Sequence, residues 1–186
     1  MQIKDTLIPD VKIIEPKVFG DSRGEFSEVV RAGDFFDLSG GKTIVQVNQS
    51  VSSRGVLRGL HCQMKHPQGK LVRVVFGEVF DVAVDLRRNS PTFGKSVSVI
   101  LSADNHRIFW IPEGFAHGFY VLSEKACMVY GCTDYYDPAS EQTVMWNDGE
   151  LDIAWPIMRN DRGEMIEPLV SAKDAGAVLF KNAAYF

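Results

Sequence analysis

Acid–base chemistry near neutral pH asks first for histidine, and the chain has four: His61, His66, His106 and His117. The most suggestive lies in GVLRGLHCQ, Gly55 to Gln63, where apolar residues surround one arginine and one histidine. Alternation along an extended strand puts Leu57, Gly59 and His61 on one face and Val56, Arg58 and Leu60 on the other. Arg58 and His61 therefore serve one cavity only if the strand bends or bulges, most simply at Gly59, or if their tips converge. Two readings stay open for His61: a core histidine bonded to a backbone carbonyl, or a base facing a small β-cavity.

Other polar residues among apolar ones raise the same question. KLVRVV sets Lys70, Val72 and Val74 on one face, and VFDVAVD aligns Val79, Asp81, Ala83 and Asp85. Asp81 can orient a histidine, pair with Lys70 or lie on a solvent face, and pattern alone leans to the last. His117 stands between aromatics in IPEGFAHGFYVLS, where a turn that projects the imidazole and a buried loop histidine both fit. A metal would need His61, Glu78 and His117 to converge, since no closely spaced histidine pair exists. Cys62 adjoins His61, but neighbours in a strand face opposite ways, so a Cys–His nucleophile pair needs a local irregularity. FGDSRGEFSE lacks both the P-loop residues and the dinucleotide-binding glycine order. Its Arg23 can grip a phosphate through a bidentate guanidinium or belong to a surface turn.

The elements that would position these groups read mainly as strands. KLVRVVFGEVFDVAVDLR is two β-rich runs around a glycine, and KSVSVILS, NHRIFWIP, GFYVLS and ACMVYGCT follow at short intervals. Turn residues separate them and no helix of crossover length intervenes, so a sandwich or barrel is expected rather than a parallel βαβ sheet. AGDFFDLSGG and SAKDAGA are the two places for a short helix or turn, and PIMRNDRGEMIEP reads as a long irregular loop. With 186 residues, of which 45% are hydrophobic and 24% charged, one well-buried core over residues 1–186 is the expectation. A net charge of -4 gives no general footprint for nucleic acid but leaves room for a local arginine cluster facing a small anion. No apolar run reaches the length of a membrane span, and the N-terminus lacks a secretory apolar stretch. Three cysteines without CxxC spacing fit unpaired thiols in the cytoplasm. A dimer would protect the edge strands of a small β chain.

Taken in order, IPDVKIIEPKVFGDSRGEF, GVLRGLHCQ, PQGKLVRVVFGEVFDVAVDLR, SPTFGK, LSADN, IPEGFAHGFYVLS and SAKD resemble the dTDP-4-dehydrorhamnose 3,5-epimerase family from about residue 6 to 175. The resemblance implies an all-β, cupin-type double-stranded β-helix, a jelly-roll barrel with short terminal helices. It also implies a homodimer acting on a dTDP-linked 4-keto-6-deoxy sugar, with neither metal nor cofactor. By motif match, His61 is the base, Asp174 its carboxylate partner, Lys70 the group near the ketone and Tyr130 the acid on the opposite face of the ring. Arg23 and Arg58 match positions near the diphosphate, His117 a further pocket histidine and Tyr135 a base-contacting position. Phe19, Phe26, Glu28, Gln46 and Asn48 fall in motifs of the nucleotide-sugar pocket or its dimer edge. Two positions depart from the pattern: Val47 replaces an acidic residue, and Gly131 follows Tyr130 where a lysine is usual. The alternatives are inversion at C3 alone, another 4-keto nucleotide sugar, or a non-catalytic cupin.

Overall fold

The β-branched and aromatic runs form strands, and those at the centre, such as VFDVAVD, IFWI and FAHGFYV, are covered on both faces. The computed structural model describes residues 1–186. In chain order the elements are β1 (Gln2–Asp5), β2 (Lys12–Glu15), β3 (Val18–Asp21), β4 (Gly24–Ser27), α1 (Ala32–Leu38), β5 (Gln46–Ser53), β6 (Leu57–Gln63), β7 (Lys70–Phe76), β8 (Glu78–Asp85), β9 (Ser96–Ser102), β10 (Ile108–Ile111), β11 (Phe115–Val121), β12 (Lys125–Cys132), β13 (Glu141–Thr143) and α2 (Ala172–Ala175). One sheet has the order β1-β2-β10-β7-β12-β5 and the other β13-β6-β11-β8-β9, while β3 and β4 form a separate hairpin. All named strand pairs are antiparallel, as a jelly roll requires. The sheets face each other rather than closing into one continuous barrel. The helices are not both terminal, because α1 sits between β4 and β5.

The inner core comes from alternate residues of both sheets: Val72, Val74, Phe109, Ile111 and Met128 from one, and Val79, Ala83, Val97, Val99, Phe115, Phe119 and Val121 from the other. The outer face of the five-stranded sheet, with Leu60, Val82, Val84, Leu86 and Ala116, is covered by the C-terminal segment through Val144, Leu151 and Phe180. Phe35 of α1 packs edge-on against Trp110, 5.1 Å between ring centroids, and covers Ile14, Leu71 and Ile108 on the outer face of the other sheet. These layers leave an opening at one end of the inner volume, bordered by β5, β6, β7, β11 and β12.

The strand GVLRGLHCQ does break its alternation. His61 pairs in register with His117, whereas Arg58 pairs with Phe119, so three steps along β6 match two along β11. The resulting bulge turns Arg58 and His61 to the same inner face. Two glycines make the close approach possible: a Cβ on Gly59, whose φ is +130°, would lie 2.5 Å from the Gly118 Cα.

Candidate active site

His61, Lys70, Tyr130, Arg58 and His117 line one cavity of about 160 Å³, together with Ser50 and Phe119. A second opening of about 80 Å³ shares His61, Lys70 and Tyr130 and adds Asn48, Tyr136 and Glu141. Beyond Arg58 and His61 a third, of about 440 Å³, runs along Leu169 to Asp174. His61 is the residue common to all three.

His61 Nε2 lies 2.6 Å from Asp174 Oδ1. Asp174 is held on α2, where its backbone N–H donates to Ser171 Oγ at 3.1 Å, and is 2% exposed. Burial pulls the Asp174 carboxyl upward, but the hydrogen bond and charge of His61, the Ser171 cap and Lys173 outweigh it, so it titrates below its ordinary value. An ionised carboxylate only accepts, so Nε2 carries the proton and Nδ1 is left as the basic nitrogen.

His117 and Asp81 form a second pair, with Nε2 2.9 Å from Oδ1 and 3.1 Å from Oδ2. Asp81 is fully buried, which overturns the solvent-face reading. Burial pushes its carboxyl up, against the pull of His117 and then Lys70. His117 itself stands within β11, paired with Ala83, and not in a turn. Glu78 begins β8 opposite Ser102 and does not join the two histidines; no cluster of three metal-ligating His, Cys, Asp or Glu side chains forms.

Burial lowers the Lys70 pKa despite the nearby Cys132, Cys62, Glu141 and Asp81, and burial raises that of Tyr130. Burial thus disfavours the charged form of both groups, the ammonium of Lys70 and the phenolate of Tyr130. Arg58 Nε donates to Ser52 Oγ at 3.2 Å, and the guanidinium has no carboxylate partner. Gln46 Nε2 donates to Asn48 Oδ1 at 2.9 Å, and Asn48 faces Tyr130 across the β5–β12 pair.

Several expected residues lie elsewhere in this chain. Arg23 is exposed and bound to Asp21 at 2.6 Å, and with Phe19 and Phe26 it lines a shallow surface cavity on the β3–β4 hairpin. Glu28 pairs with Arg31 at 2.7 Å. The strands of this hairpin pair only with each other, and neither Phe19, Arg23 and Phe26 nor Glu28 just beyond it lines the cavity of its own chain. Tyr135 is 65% exposed, and its neighbour Tyr136 enters the wall instead, donating to Glu141 Oε2 at 2.8 Å. Lys173 reaches the same oxygen at 2.5 Å. Ser50, Phe119, Tyr136, Glu141 and Lys173 escaped sequence reasoning. Only Lys173, adjacent to Asp174 in SAKD, carried a local signal. Neither departure lines the cavity: Val47 is exposed on the outer face of β5, and a Cβ at Gly131 would meet the Ile44 side chain at 2.9 Å.

Residues 5–182 match the family model of dTDP-4-dehydrorhamnose 3,5-epimerase. The chain is 55% identical to the Neisseria gonorrhoeae dTDP-4-dehydrorhamnose 3,5-epimerase over 98% of its own length, but spans only 54% of that relative. It is 54% identical to the Salmonella typhimurium enzyme of the same name, covering 98% of this chain and 97% of the other. Among solved structures, dTDP-6-deoxy-D-glucose-3,5-epimerase from Legionella pneumophila, in complex with dTDP-4-keto-L-rhamnose, superposes with a TM-score of 0.92 at 51% identity, over 98% of this chain and 94% of that one.

Proposed function

The chain belongs to the dTDP-4-dehydrorhamnose 3,5-epimerase family, and from that premise we propose that it inverts C3 and C5 of dTDP-4-dehydro-6-deoxy-D-glucose. The observation that carries the reading is the His61–Asp174 pair at 2.6 Å in a cavity shared with Lys70 and Tyr130. A ketone at C4 acidifies the hydrogens on C3 and C5, because either carbanion delocalises onto the carbonyl oxygen. His61 Nδ1 takes the proton, and the ionised Asp174 stabilises the imidazolium that forms. Lys70 supplies the charge that stabilises the enolate oxygen. Tyr130 returns a proton to the opposite face; solvent then takes the proton from the His61 imidazolium and restores that of Tyr130, and the cycle repeats at the second carbon. The sugar already carries the carbonyl that acidifies both positions, so the exchange needs no change of oxidation state. Arg58 is free to hold a diphosphate oxygen, and the phenol of Tyr136 offers an aromatic face at the nucleotide end.

The working unit in this reading is a homodimer over residues 1–186 acting in the cytoplasm. Three free thiols, Cys62, Cys127 and Cys132, agree with a reducing compartment, and no helix is long and apolar enough to cross a membrane. Strand β5 is an exposed edge, and Val51, Cys127 and Phe76 form a cross-strand row on its outer side, with Val51 46% and Phe76 60% exposed. A second copy would cover that row, and the exposed Phe19, Arg23 and Phe26 of the hairpin are then available to the partner's nucleotide.

Incubation of dTDP-4-dehydro-6-deoxy-D-glucose with the protein in deuterium oxide tests the chemistry. NMR should show deuterium at both C3 and C5. Exchange at C3 alone would make the chain a monoepimerase, and no exchange would reject the substrate. Light scattering should give twice the mass of one chain.

A further inference from the structure

The inner face of β5 presents four polar side chains, Gln46, Asn48, Ser50 and Ser52. Three are engaged: Gln46 Nε2 donates to Asn48, Asn48 Nδ2 donates to Cys132 Sγ at 3.6 Å, and Ser52 Oγ accepts from Arg58. Ser50 is not. Its Oγ is buried and has no hydrogen-bond partner, because the residue opposite it on β12 is Met128. Buried hydroxyls are ordinarily paired, and an unpaired one weakens the fold. Thr143 has the only other such side-chain atom, but it lines the groove beside Lys65 and Ala177. Ser50 lines the cavity of His61, Lys70, His117 and Tyr130.

We infer that Ser50 Oγ contacts substrate, accepting from or donating to the C2 hydroxyl of the sugar, and so selects for a 2-hydroxylated ring. The inference rests on the epimerase reading above. Along the inner row of β5, Ser50 falls between Asn48, opposite Tyr130, and Ser52, bound to Arg58. With the diphosphate on C1 at Arg58 and the C4 carbonyl at Lys70, two ring edges lie between them, and of these only the C2–C3 edge carries hydroxyls, the other carrying the ring oxygen and the C5 methyl. C3 inverts during the reaction and C2 does not. A contact at C2 is therefore present in substrate, enolate and product alike, and contributes uniform binding. A hydroxyl suits the role because it can both donate and accept.

The test is a cycle between Ser50→Ala and the 2-deoxy analogue of the nucleotide sugar. For the parent sugar, Ser50→Ala should raise KM about tenfold with kcat within about twofold, the pattern of lost uniform binding. The 2-deoxy sugar should cost the wild type a similar factor, and Ser50→Ala should add nothing to it. Affinity for dTDP alone should not change, and the melting temperature of the free variant should not fall, since a hydroxyl without a partner is removed. An unchanged KM, or an equal loss with both sugars, would overturn the contact while leaving the epimerase reading intact. A wild type inactive on both sugars would instead overturn that reading and the contact with it.

Discussion

Replacing Asp174 by Asn removes one charge from the site and almost no volume. The carboxylate lies 2.6 Å from His61 Nε2 and is 2% exposed, so its charge acts at short range. At roughly 4 Å between charge centres and an effective dielectric of about 20, the attraction between carboxylate and imidazolium is about 4 kcal/mol. The His61 side chain is 28% exposed, and solvent screening brings this toward the ~2 kcal/mol typical of a hydrogen bond to a charged group. The interaction grows as the proton arrives, so its loss falls on kcat and not on KM. Asp174→Asn should therefore slow deuterium incorporation at C3 and C5 by about 30- to 1000-fold under saturating sugar, with KM within about twofold. The Ser171 cap bonds the backbone N–H of residue 174, so α2 survives the change and the melting temperature serves as the folding control. A loss of less than about threefold in a folded variant would remove Asp174 from the mechanism; a rise in KM alone would make it a binding residue.

Tyr130→Phe should leave exchange detectable, with deuterium entering where the configuration is retained, while epimerised product falls at least ~100-fold; unchanged product formation would move the acid role to another group. Burial lowers the Lys70 pKa and raises that of Tyr130 above its usual 10, so the first alkaline loss of kcat/KM belongs to Lys70. That limb should lie below the ordinary lysine value of 10.5, and Lys70→Arg should push it upward in whatever activity remains; a limb that stays put assigns it elsewhere. Asp85 is fully buried, and although burial raises its pKa, hydrogen bonds from Arg87, Ser90 and Thr92 bring it from 3.8 to about 2. Its folded-state value is depressed, so this stability is present above pH ~4 and lost as the pH falls toward about 2. It amounts to about 2 kcal/mol. Asp85→Asn should lower the melting temperature by about 4–8 °C at pH 7 and by less at pH 3; a constant difference would refute the account.

The strands β7 to β12 were legible because their signals are local, and the two places read as a short helix or turn hold α1 and α2. Alternating β-branched runs and glycine turns each need only a few neighbouring residues. Asp81 shows where that stops. Alternation grouped it correctly with Val79 and Ala83, but β8 is buried on both faces, so no contrast in polarity marks which face encloses the cavity. The His61–Asp174 pair spans 113 residues and no spacing rule reaches across it; the family resemblance supplied it. Tyr135 and Tyr136 differ only in how one loop lies, which neighbouring residues of the same type cannot signal. Strand β5 lacked an apolar run because its inner face is polar and its outer face is exposed at an edge.

The bulge in β6 ties these levels together. A perfectly alternating strand would send the Arg58 guanidinium into the apolar layer of Leu60, Cys62 and Val82, where an unpaired charge is very costly. The same sequence would put His61 inside, so chemistry and packing conflict unless the register slips by one residue between them. Gly59 and Gly118 face each other at that slip, each without the Cβ that would block it. The proposed catalysis depends on a defect in the strand that carries His61: it brings the arginine assigned to the diphosphate and the histidine assigned as base to one cavity, while the surrounding strand keeps both of its faces packed.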